Sequence, residues 1–308
     1  MTLKILSDFD GVWTDPTPEA DAVRAELVRR TAELSGVESE TVAADMIALS
    51  EIALGSPAQH GWTLNGRITA FADEDPLILG NAVTEVIGMI ADHSLDGRTP
   101  AIEVVERCTT YRAAILDAGH PNLDDFAEWV FRTGTANFRQ GRRHALLPAA
   151  IEVAERLLRS DAEVVVVSNS GEEKILDWFD LSGIPAKSVN DREAGDDRCL
   201  YVRGSAGKFV LGEGSEQVEL CGRKIYIDRP MYRAAIEAEA PDLVVGDVFS
   251  LDLALPHALR CEGHPWAPSQ LVLRRNSYSP AWAADERAGG VIDHVIDELA
   301  GLCDLIEA

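Results

Sequence analysis

Hydrophobic and polar positions repeat in two different ways along the chain, and the change divides it into two regions. Up to about residue 144, apolar side chains recur at helical spacing, as at Val23 and Leu27. Beyond that point, short apolar runs alternate with helical segments, and Val164–Val167 is typical of a strand buried on both faces. Strands that alternate with helices indicate an α/β fold with a parallel, doubly wound sheet.

A first strand, at Leu3–Leu6, stands before the helical region. Roughly 120 mostly helical residues then follow, which is too long for a crossover within one sheet. We therefore predict a core formed by residues 1–15 and 145–308, interrupted by an inserted helical domain at residues 16–144. A final helix is predicted at Arg287–Leu302.

Several further short segments have the apolar content of strands. Those between residues 199 and 220 are joined by glycine turns, which favours short antiparallel strands there. The predicted segments are Cys199–Val202, Lys208–Leu211, Val218–Leu220, Lys224–Ile227, Leu243–Val245 and Leu271–Leu273.

The charge composition of the chain excludes some classes of binding partner. The formal net charge is −24, from 28 basic and 52 acidic residues. Such a surface repels nucleic acids and anionic membranes at long range, so we expect neither as a partner. The five cysteines are widely spread, and the sequence shows no signal peptide and no apolar run long enough for a membrane span. We expect a cytoplasmic protein.

Polar side chains follow the ends of four predicted strands, where ligands bind in parallel sheets. In extended backbone, Asp8 and Asp10 would face the same side. Two carboxylates this close need a cation between them or a shared proton. The four sets are Asp8 with Asp10, Ser168 with Asn169, Asp228 with Arg229, and Asp247 with Asp252.

The order of these residues resembles the four motifs of the haloacid dehalogenase (HAD) superfamily. The first is Asp8-Phe9-Asp10-Gly11-Val12-Trp13-Thr14-Asp15, and the second is Val164–Val167 followed by Ser168-Asn169. Arg229-Pro230 takes the place of the third, and Gly246-Asp247 with Asp252 forms the fourth. The resemblance implies a Rossmann-like, HAD-like core, with the helical insert as an α-helical cap domain directly after the first motif.

The resemblance also implies roles for these residues. Asp8 would be the nucleophile that forms an aspartyl-phosphate, and Asp10 would be the general acid and base. A Mg²⁺ ion would be bound by the Asp8 carboxylate, the Asp10 backbone carbonyl and Asp247, with Asp252 binding directly or through water.

Other positions would hold the phosphate. Ser168, with Asn169 beside it, and the backbone N–H groups near Phe9 and Gly11 would bind phosphate oxygens. Arg229 would stabilise the transferring charge. The family more often has lysine at this place, so Arg229 is a departure; Lys187 and Lys224 are alternatives that do not precede a Pro-opened helix.

The function that follows is a Mg²⁺-dependent phosphatase acting on a small phosphorylated metabolite. A phosphomutase of the sugar-phosphate type and a non-catalytic binding protein remain as alternatives. Asp10 and the acidic fourth motif disfavour a haloacid dehalogenase, and the absence of lysine between Lys4 and Lys174 disfavours a phosphonate hydrolase. The stretch 191–222 is either a flap near the site or a contact in a homodimer. The sequence leaves open both the substrate and the oligomeric state.

Overall fold

The computed structural model describes residues 2–95, 100–141, 146–160, 162–193 and 198–307. The chain divides into two compact units, Met1–Asp15 with Arg143–Ala308, and Pro16–Arg142. The predicted domain boundary at residues 144 and 145 lies outside the described residues. Within the described ranges, every helix is too short or too polar to cross a bilayer.

Strands occur in both units. In chain order they are β1 (Leu3–Ser7), β2 (Gly61–Leu64), β3 (Arg67–Phe71), β4 (Ala162–Val167), β5 (Ala186–Ser188), β6 (Leu200–Arg203), β7 (Gln217–Leu220), β8 (Arg223–Tyr226), β9 (Leu243–Gly246), β10 (Gln270–Arg274) and β11 (His294–Ile296).

Helices connect these strands and form most of the inserted unit. They are α1 (Thr17–Ser35), α2 (Ser39–Gly55), α3 (Pro76–Ala91), α4 (Ile102–Asp117), α5 (Leu123–Gly141), α6 (Ala150–Arg159), α7 (Glu172–Leu181), α8 (Pro230–Glu239), α9 (Ala254–Cys261), α10 (Ala281–Ala284), α11 (Arg287–Gly290) and α12 (Gly301–Glu307).

The core is a seven-stranded sheet in the order β11-β10-β9-β1-β4-β6-β5, and every pairing in it is parallel. The strands β9, β1 and β4 are at its centre, and their apolar runs are buried as a sheet covered on both faces requires. This sheet confirms the predicted α/β, Rossmann-like fold class. It also brings the carboxyl ends of β1, β4 and β9 to one edge.

The described residues of the inserted unit form helices and one antiparallel hairpin, of β2 and β3. Its central helix, α3, packs against α1, α2, α4 and α5. Asp75 begins α3 because its side chain accepts a hydrogen bond from the Leu77 N–H at 2.8 Å, and Pro76 occupies the first helical position.

The structure corrects the predictions for three segments, although the first of them, Lys224–Ile227, does form a strand, β8. The segment Lys224–Ile227 does not join the core sheet, because β8 pairs antiparallel with β7 across a two-residue turn at Cys221 and Gly222, both with positive φ. Lys208–Leu211 forms no strand. The predicted helix Arg287–Leu302 is interrupted by residues with positive φ at 287–290, and β11 follows.

The glycine turns after Cys199–Val202 predict antiparallel pairing, but the strand that forms there, β6, pairs parallel with β4 and β5. The strand β5, only three residues long, was not predicted because so short a segment carries no periodic signal. These two strands extend the sheet beyond β4 and place the loop after β6 beside the functional edge.

Helices α1 and α5 approach each other closely at Gly134 in the inserted unit. A Cβ atom built on Gly134 would lie 2.7 Å from Val23 Cα and 3.2 Å from the Val23 backbone nitrogen. Because both atoms belong to the backbone of α1, neither can move aside without shifting the whole helix.

We predict that Gly134→Ala lowers the free energy of unfolding by about 1–3 kcal/mol, because overpacking outweighs the gain in helix propensity. Thermal unfolding followed by far-ultraviolet circular dichroism measures this effect. Gly141→Ala, in the same helix but with open space around its Cβ, is the matched control and should be neutral or mildly stabilising. Equal stabilities of the two variants would contradict the close approach.

Candidate active site

Asp8 is the first residue beyond β1, and its carboxylate is buried. Its backbone N–H donates to Val245 O at 2.8 Å, so β9 still holds the chain at this point. The residue is 8% exposed, and its Oδ1 lies 2.6 Å from Lys208 Nζ. The paired strands therefore fix a carboxylate at the carboxyl edge of the sheet, next to an ammonium group.

Asp10 belongs to the turn that begins at Phe9, so its carboxylate meets different partners. Its Oδ2 accepts a hydrogen bond from Ser170 Oγ at 2.6 Å, and its Oδ1 lies 3.0 Å from Lys174 Nζ. Asp8 and Asp10 share one edge of the sheet, as the sequence predicts, but each carboxylate contacts its own lysine.

Gly11 allows the loop after β1 to approach the loop after β9. Its φ is +77°, and a Cβ built on it would lie 1.9 Å from Asp247 Oδ2. No side chain fits in this place. The Gly11 N–H, predicted to bind phosphate, donates to Thr14 Oγ1 at 3.2 Å, while the buried Phe9 ring packs against Phe179 with 5.4 Å between ring centroids.

Asp247 and Asp252 follow β9 and are both buried. Asp252 lies in a π-helical turn, Phe249–Leu253, a departure from α-helix that often occurs at functional sites. Its Oδ2 accepts a hydrogen bond from the Val248 N–H at 3.1 Å, and its backbone carbonyl accepts one from the Tyr232 hydroxyl at 2.8 Å. Both hydrogen bonds stabilise the conformation of this turn.

Asp8, Asp247 and Asp252 form one cluster of carboxylates. An oxygen atom from each lies within 4.8 Å of the others. Gly246 is needed here too, because a Cβ on it would lie 2.3 Å from the Asp252 Cβ. The predicted metal-binding carboxylates therefore do converge.

Lys208 compensates part of this charge, although it lies outside the four sequence motifs. Its Nζ lies 2.6 Å from Asp8 Oδ1 and 2.8 Å from Asp252 Oδ1, and the side chain is 1% exposed. It is one of five lysines, flanked by Gly207 after β6. Its position beyond a strand end is a usable signal, but the apolar content of Lys208–Leu211 favours a strand at this place instead.

The residues after β4 hold the loop that carries Lys208. Asn169 Oδ1 accepts a hydrogen bond from the Lys208 N–H at 2.7 Å. Ser168 O accepts one from Ala206 N, and Ser170 O accepts one from Ser205 N, both at 2.8 Å. Asn169 thus positions the lysine, while its predicted role in substrate binding stays a prediction. Ser168 Oγ lies 3.4 Å from Asp10 Oδ2.

The prediction that Arg229 replaces the family's lysine requires correction, because the cation in contact with Asp8 is Lys208. Arg229 is fully buried at the start of α8, after the hairpin strand β8 rather than a strand of the core sheet. It donates from Nε to Tyr226 O at 3.1 Å and from Nη1 to Lys208 O. Arg229 therefore supports the backbone of the lysine that contacts the nucleophile candidate.

Burial and charge change the pKa values at this cluster. Burial raises the pKa of the Asp8 carboxyl to about 7, with the Lys208 ammonium opposing and the Asp252 and Asp10 carboxylates adding to the rise. Burial alone would lower the pKa of Lys208, but Asp252 and Asp8 outweigh it and raise the value above the ordinary one. Lys208 is therefore charged, and ionised Asp8 needs further positive charge at neutral pH.

The three carboxylates fit a divalent cation. Hard oxygen ligands are those Mg²⁺ prefers, and the three carboxylates outnumber the one ammonium that contacts them. The Asp10 carboxylate, which contacts Lys174 instead, lies outside this cluster. The prediction for Asp10 concerned its backbone carbonyl, and it stays a prediction.

Lys174 is a second lysine of the site that lies outside the four sequence motifs. It lies on α7, six positions after Ser168, with its Nζ 4.7 Å from the centre of the Trp178 ring. Its side chain is 6% exposed, so the charge on Asp10 is compensated in a largely dry environment. Helical spacing alone does not indicate this contact.

Comparison of the whole chain with known proteins returns solved structures of low identity. A HAD phosphatase from Thermococcus onnurineus is 14% identical (99% of this chain, 97% of that chain, TM-score 0.44), and a putative β-phosphoglucomutase from Thermotoga maritima is 10% identical (99%, 98%, 0.46). A 2-haloacid dehalogenase from Pseudomonas syringae is 17% identical (100%, 99%, 0.43). No family model and no curated protein matches the sequence.

We predict that Lys208→Met lowers the free energy of unfolding by about 3–5 kcal/mol without added metal, because it leaves buried carboxylates uncompensated. Chemical denaturation measures the loss. Lys224→Met, at an exposed lysine of β8, is the control and should cost little.

A double variant separates lost charge compensation from lost packing. Adding Asp8→Asn to Lys208→Met removes one of the buried carboxylates that the loss of Lys208 leaves without a counter-charge. This should restore part of the free energy of unfolding. A double variant whose losses simply add would contradict direct coupling between Lys208 and Asp8.

Proposed function

We propose that this chain is a HAD-superfamily phosphatase that hydrolyses a small phosphorylated metabolite through an aspartyl-phosphate on Asp8, with Mg²⁺ as cofactor. The observation that carries the proposal is the arrangement around Asp8. A buried carboxylate contacts an ammonium at 2.6 Å and shares a cluster with two further carboxylates. The ammonium and a cation bound by the carboxylate cluster would offset the negative charge when Asp8 attacks a phosphate dianion.

Charge is the main obstacle to the reaction. A phosphate dianion that approaches Asp8 meets a carboxylate, in a chain whose net charge is −24. Mg²⁺, held by Asp8, Asp247 and Asp252, would neutralise this charge and orient nucleophile and substrate. Lys208 contacts both Asp8 and Asp252, and it holds the nucleophile's carboxylate in place as it offsets the charge.

The chemistry divides into two displacements at phosphorus. In the first, an Asp8 oxygen bonds to phosphorus, the bond to the leaving oxygen breaks, and Asp10 donates a proton to that oxygen. In the second, Asp10 takes a proton from water, the water oxygen bonds to phosphorus, and the bond to Asp8 breaks. Inorganic phosphate leaves and both aspartates return to their starting states.

The position of Asp10 supports its role. Its side chain is 20% exposed against 11% for Asp8, so Asp10 is the more open of the two to solvent and to a leaving group. Ser170 and Lys174 hold its two oxygens and restrict the carboxylate to one orientation. Asp10 also distinguishes a phosphatase from a haloacid dehalogenase, whose chemistry needs no proton donor at this place.

We predict that phosphate release from a panel of phosphorylated metabolites requires Mg²⁺ and is abolished by Asp8→Asn, because an amide cannot form the aspartyl-phosphate. Free phosphate and organic products are both measured. Asp117→Asn, an exposed aspartate at the end of α4, is the matched control and should keep full activity.

The same assay decides between the proposal and its alternatives. Activity that survives Asp8→Asn would overturn the nucleophile assignment. An isomerised sugar phosphate formed without free phosphate would indicate the phosphomutase. Absence of any product, with Mg²⁺ binding unaffected by Asp247→Asn, would indicate a non-catalytic binding protein.

Asp10→Asn should separate the two displacements when the substrate is p-nitrophenyl phosphate. This leaving group departs without a proton, so phosphorylation of Asp8 continues, while hydrolysis of the aspartyl-phosphate lacks its base. We expect a burst of about one nitrophenolate per active site, followed by turnover about 10²–10⁴-fold slower than wild type. Mass spectrometry should find one phosphoryl group on Asp8. Steady turnover at the wild-type rate would contradict the role of Asp10.

A further inference from the structure

A chain of hydrogen bonds connects the loop after β10 to the acidic cluster. Tyr278 donates from its hydroxyl to Asp247 Oδ2 at 2.7 Å. Asn276 Nδ2 lies 2.8 Å from the Tyr278 hydroxyl, 2.9 Å from Gly11 O and 3.4 Å from Asp247 Oδ2. The two residues thus link the loop after β1 to the loop after β9.

The donors and acceptors of this chain match one another. The Asn276 amide has two N–H groups, and its two shorter contacts are to Gly11 O and the Tyr278 hydroxyl. That hydroxyl accepts from Asn276 and donates its own proton to Asp247. Asn276 therefore donates one hydrogen bond to Gly11 O and another to the Tyr278 hydroxyl. Tyr278 in turn donates to Asp247.

We propose that Tyr278 and Asn276 are positioning residues for Mg²⁺, through their hold on Asp247 and on the loop that carries Asp10 and Gly11. The inference rests on the metal site of the proposed function. Both residues are half-buried in a loop outside the four motifs. Neither was identified from the sequence, where a loop asparagine and tyrosine carry no periodic signal.

The physical reason is the freedom of a carboxylate. The terminal torsion of an aspartate is broad, so a carboxylate without a fixed partner rotates over a wide range. The Tyr278 hydroxyl holds Asp247 Oδ2 and restricts this rotation. Groups that orient metal ligands in this way contribute about 10–100-fold to metal affinity.

The bond to Gly11 O adds a second constraint. Asp10, whose backbone carbonyl is a predicted Mg²⁺ ligand, directly precedes Gly11. By holding Gly11 O at 2.9 Å and Asp247 through Tyr278, Asn276 fixes the distance between the two loops that supply metal ligands. A preorganised pair of loops loses less conformational entropy when the ion binds.

Calorimetric titration of the full chain with MgCl₂ tests the inference directly. We predict that Tyr278→Phe, which keeps the ring and removes only the hydroxyl, weakens Mg²⁺ binding about 10–100-fold at an unchanged melting temperature. Asn276→Ala should weaken it in the same direction. Tyr201→Phe is the control: its ring lies on β6, three strands away from β9, against Arg192.

Kinetics supply a readout that a merely structural role would not change. With a substrate found in the panel, the Mg²⁺ concentration for half-maximal activity should rise in Tyr278→Phe by the same factor as the dissociation constant. The rate at saturating Mg²⁺ should stay within about two-fold of wild type, because the hydroxyl contacts a metal ligand and not the reacting groups.

The outcomes separate this inference from the proposed function. Wild-type Mg²⁺ affinity in both Tyr278→Phe and Asn276→Ala would overturn the inference and leave the phosphatase proposal standing. An equal loss in Tyr201→Phe would also overturn it. A wild-type protein that binds no Mg²⁺ would overturn both the inference and the metal in the proposed function.

Discussion

The structure depends on how three buried carboxylates share one small volume at the edge of the sheet. Asp8, Asp247 and Asp252 would repel one another strongly in so dry a place, and the Lys208 ammonium offsets part of that charge. Residues from neighbouring loops hold the backbone of this lysine in place by hydrogen bonds. Asn169 holds its backbone N–H and Arg229 its carbonyl. The two ion pairs of Lys208 thus bring together the loop after β6, the residues after β4 and the start of α8.

Close backbone approach is the second requirement of the site. Gly11 and Gly246 leave no room for a Cβ, because Asp247 and Asp252 occupy the space that each would need. The backbone of the loop after β1, at Gly11, therefore lies against the Asp247 side chain of the loop after β9. Asn276 and Tyr278 join the same two loops by hydrogen bonds from a third side. Contacts of this kind hold ligands in place before an ion or substrate arrives, which is how rigid sites reduce the cost of binding.

The two lysines at the edge divide the charge compensation between the two proposed catalytic aspartates. Lys208 contacts Asp8, and Lys174 contacts Asp10. The chain has five lysines in all, so two of them serve this edge in a strongly acidic protein. In the proposed mechanism this separation matters, because the nucleophile must stay charged while the acid and base must gain and lose a proton. Lys208 also contacts Asp252, whereas Lys174 also donates to the Ser170 hydroxyl, so the two carboxylates have separate surroundings although they are two residues apart.

The sequence by itself determined the features that depend on local patterns. The apolar run before Asp8, the buried run before Ser168, the Gly246-Asp247 pair and the helical periodicity of the insert predicted the fold class and the converging aspartates. Tertiary structure alone decided which cation meets Asp8. Lys208 is 200 residues away along the chain, and Lys224–Ile227 has the composition of a core strand although it pairs in a hairpin. Strand propensity does not specify the partner strand, and side-chain contacts between distant loops leave no periodic signal in the sequence. For that reason Arg229, Lys174, Tyr278 and Asn276 could be placed only in the folded chain.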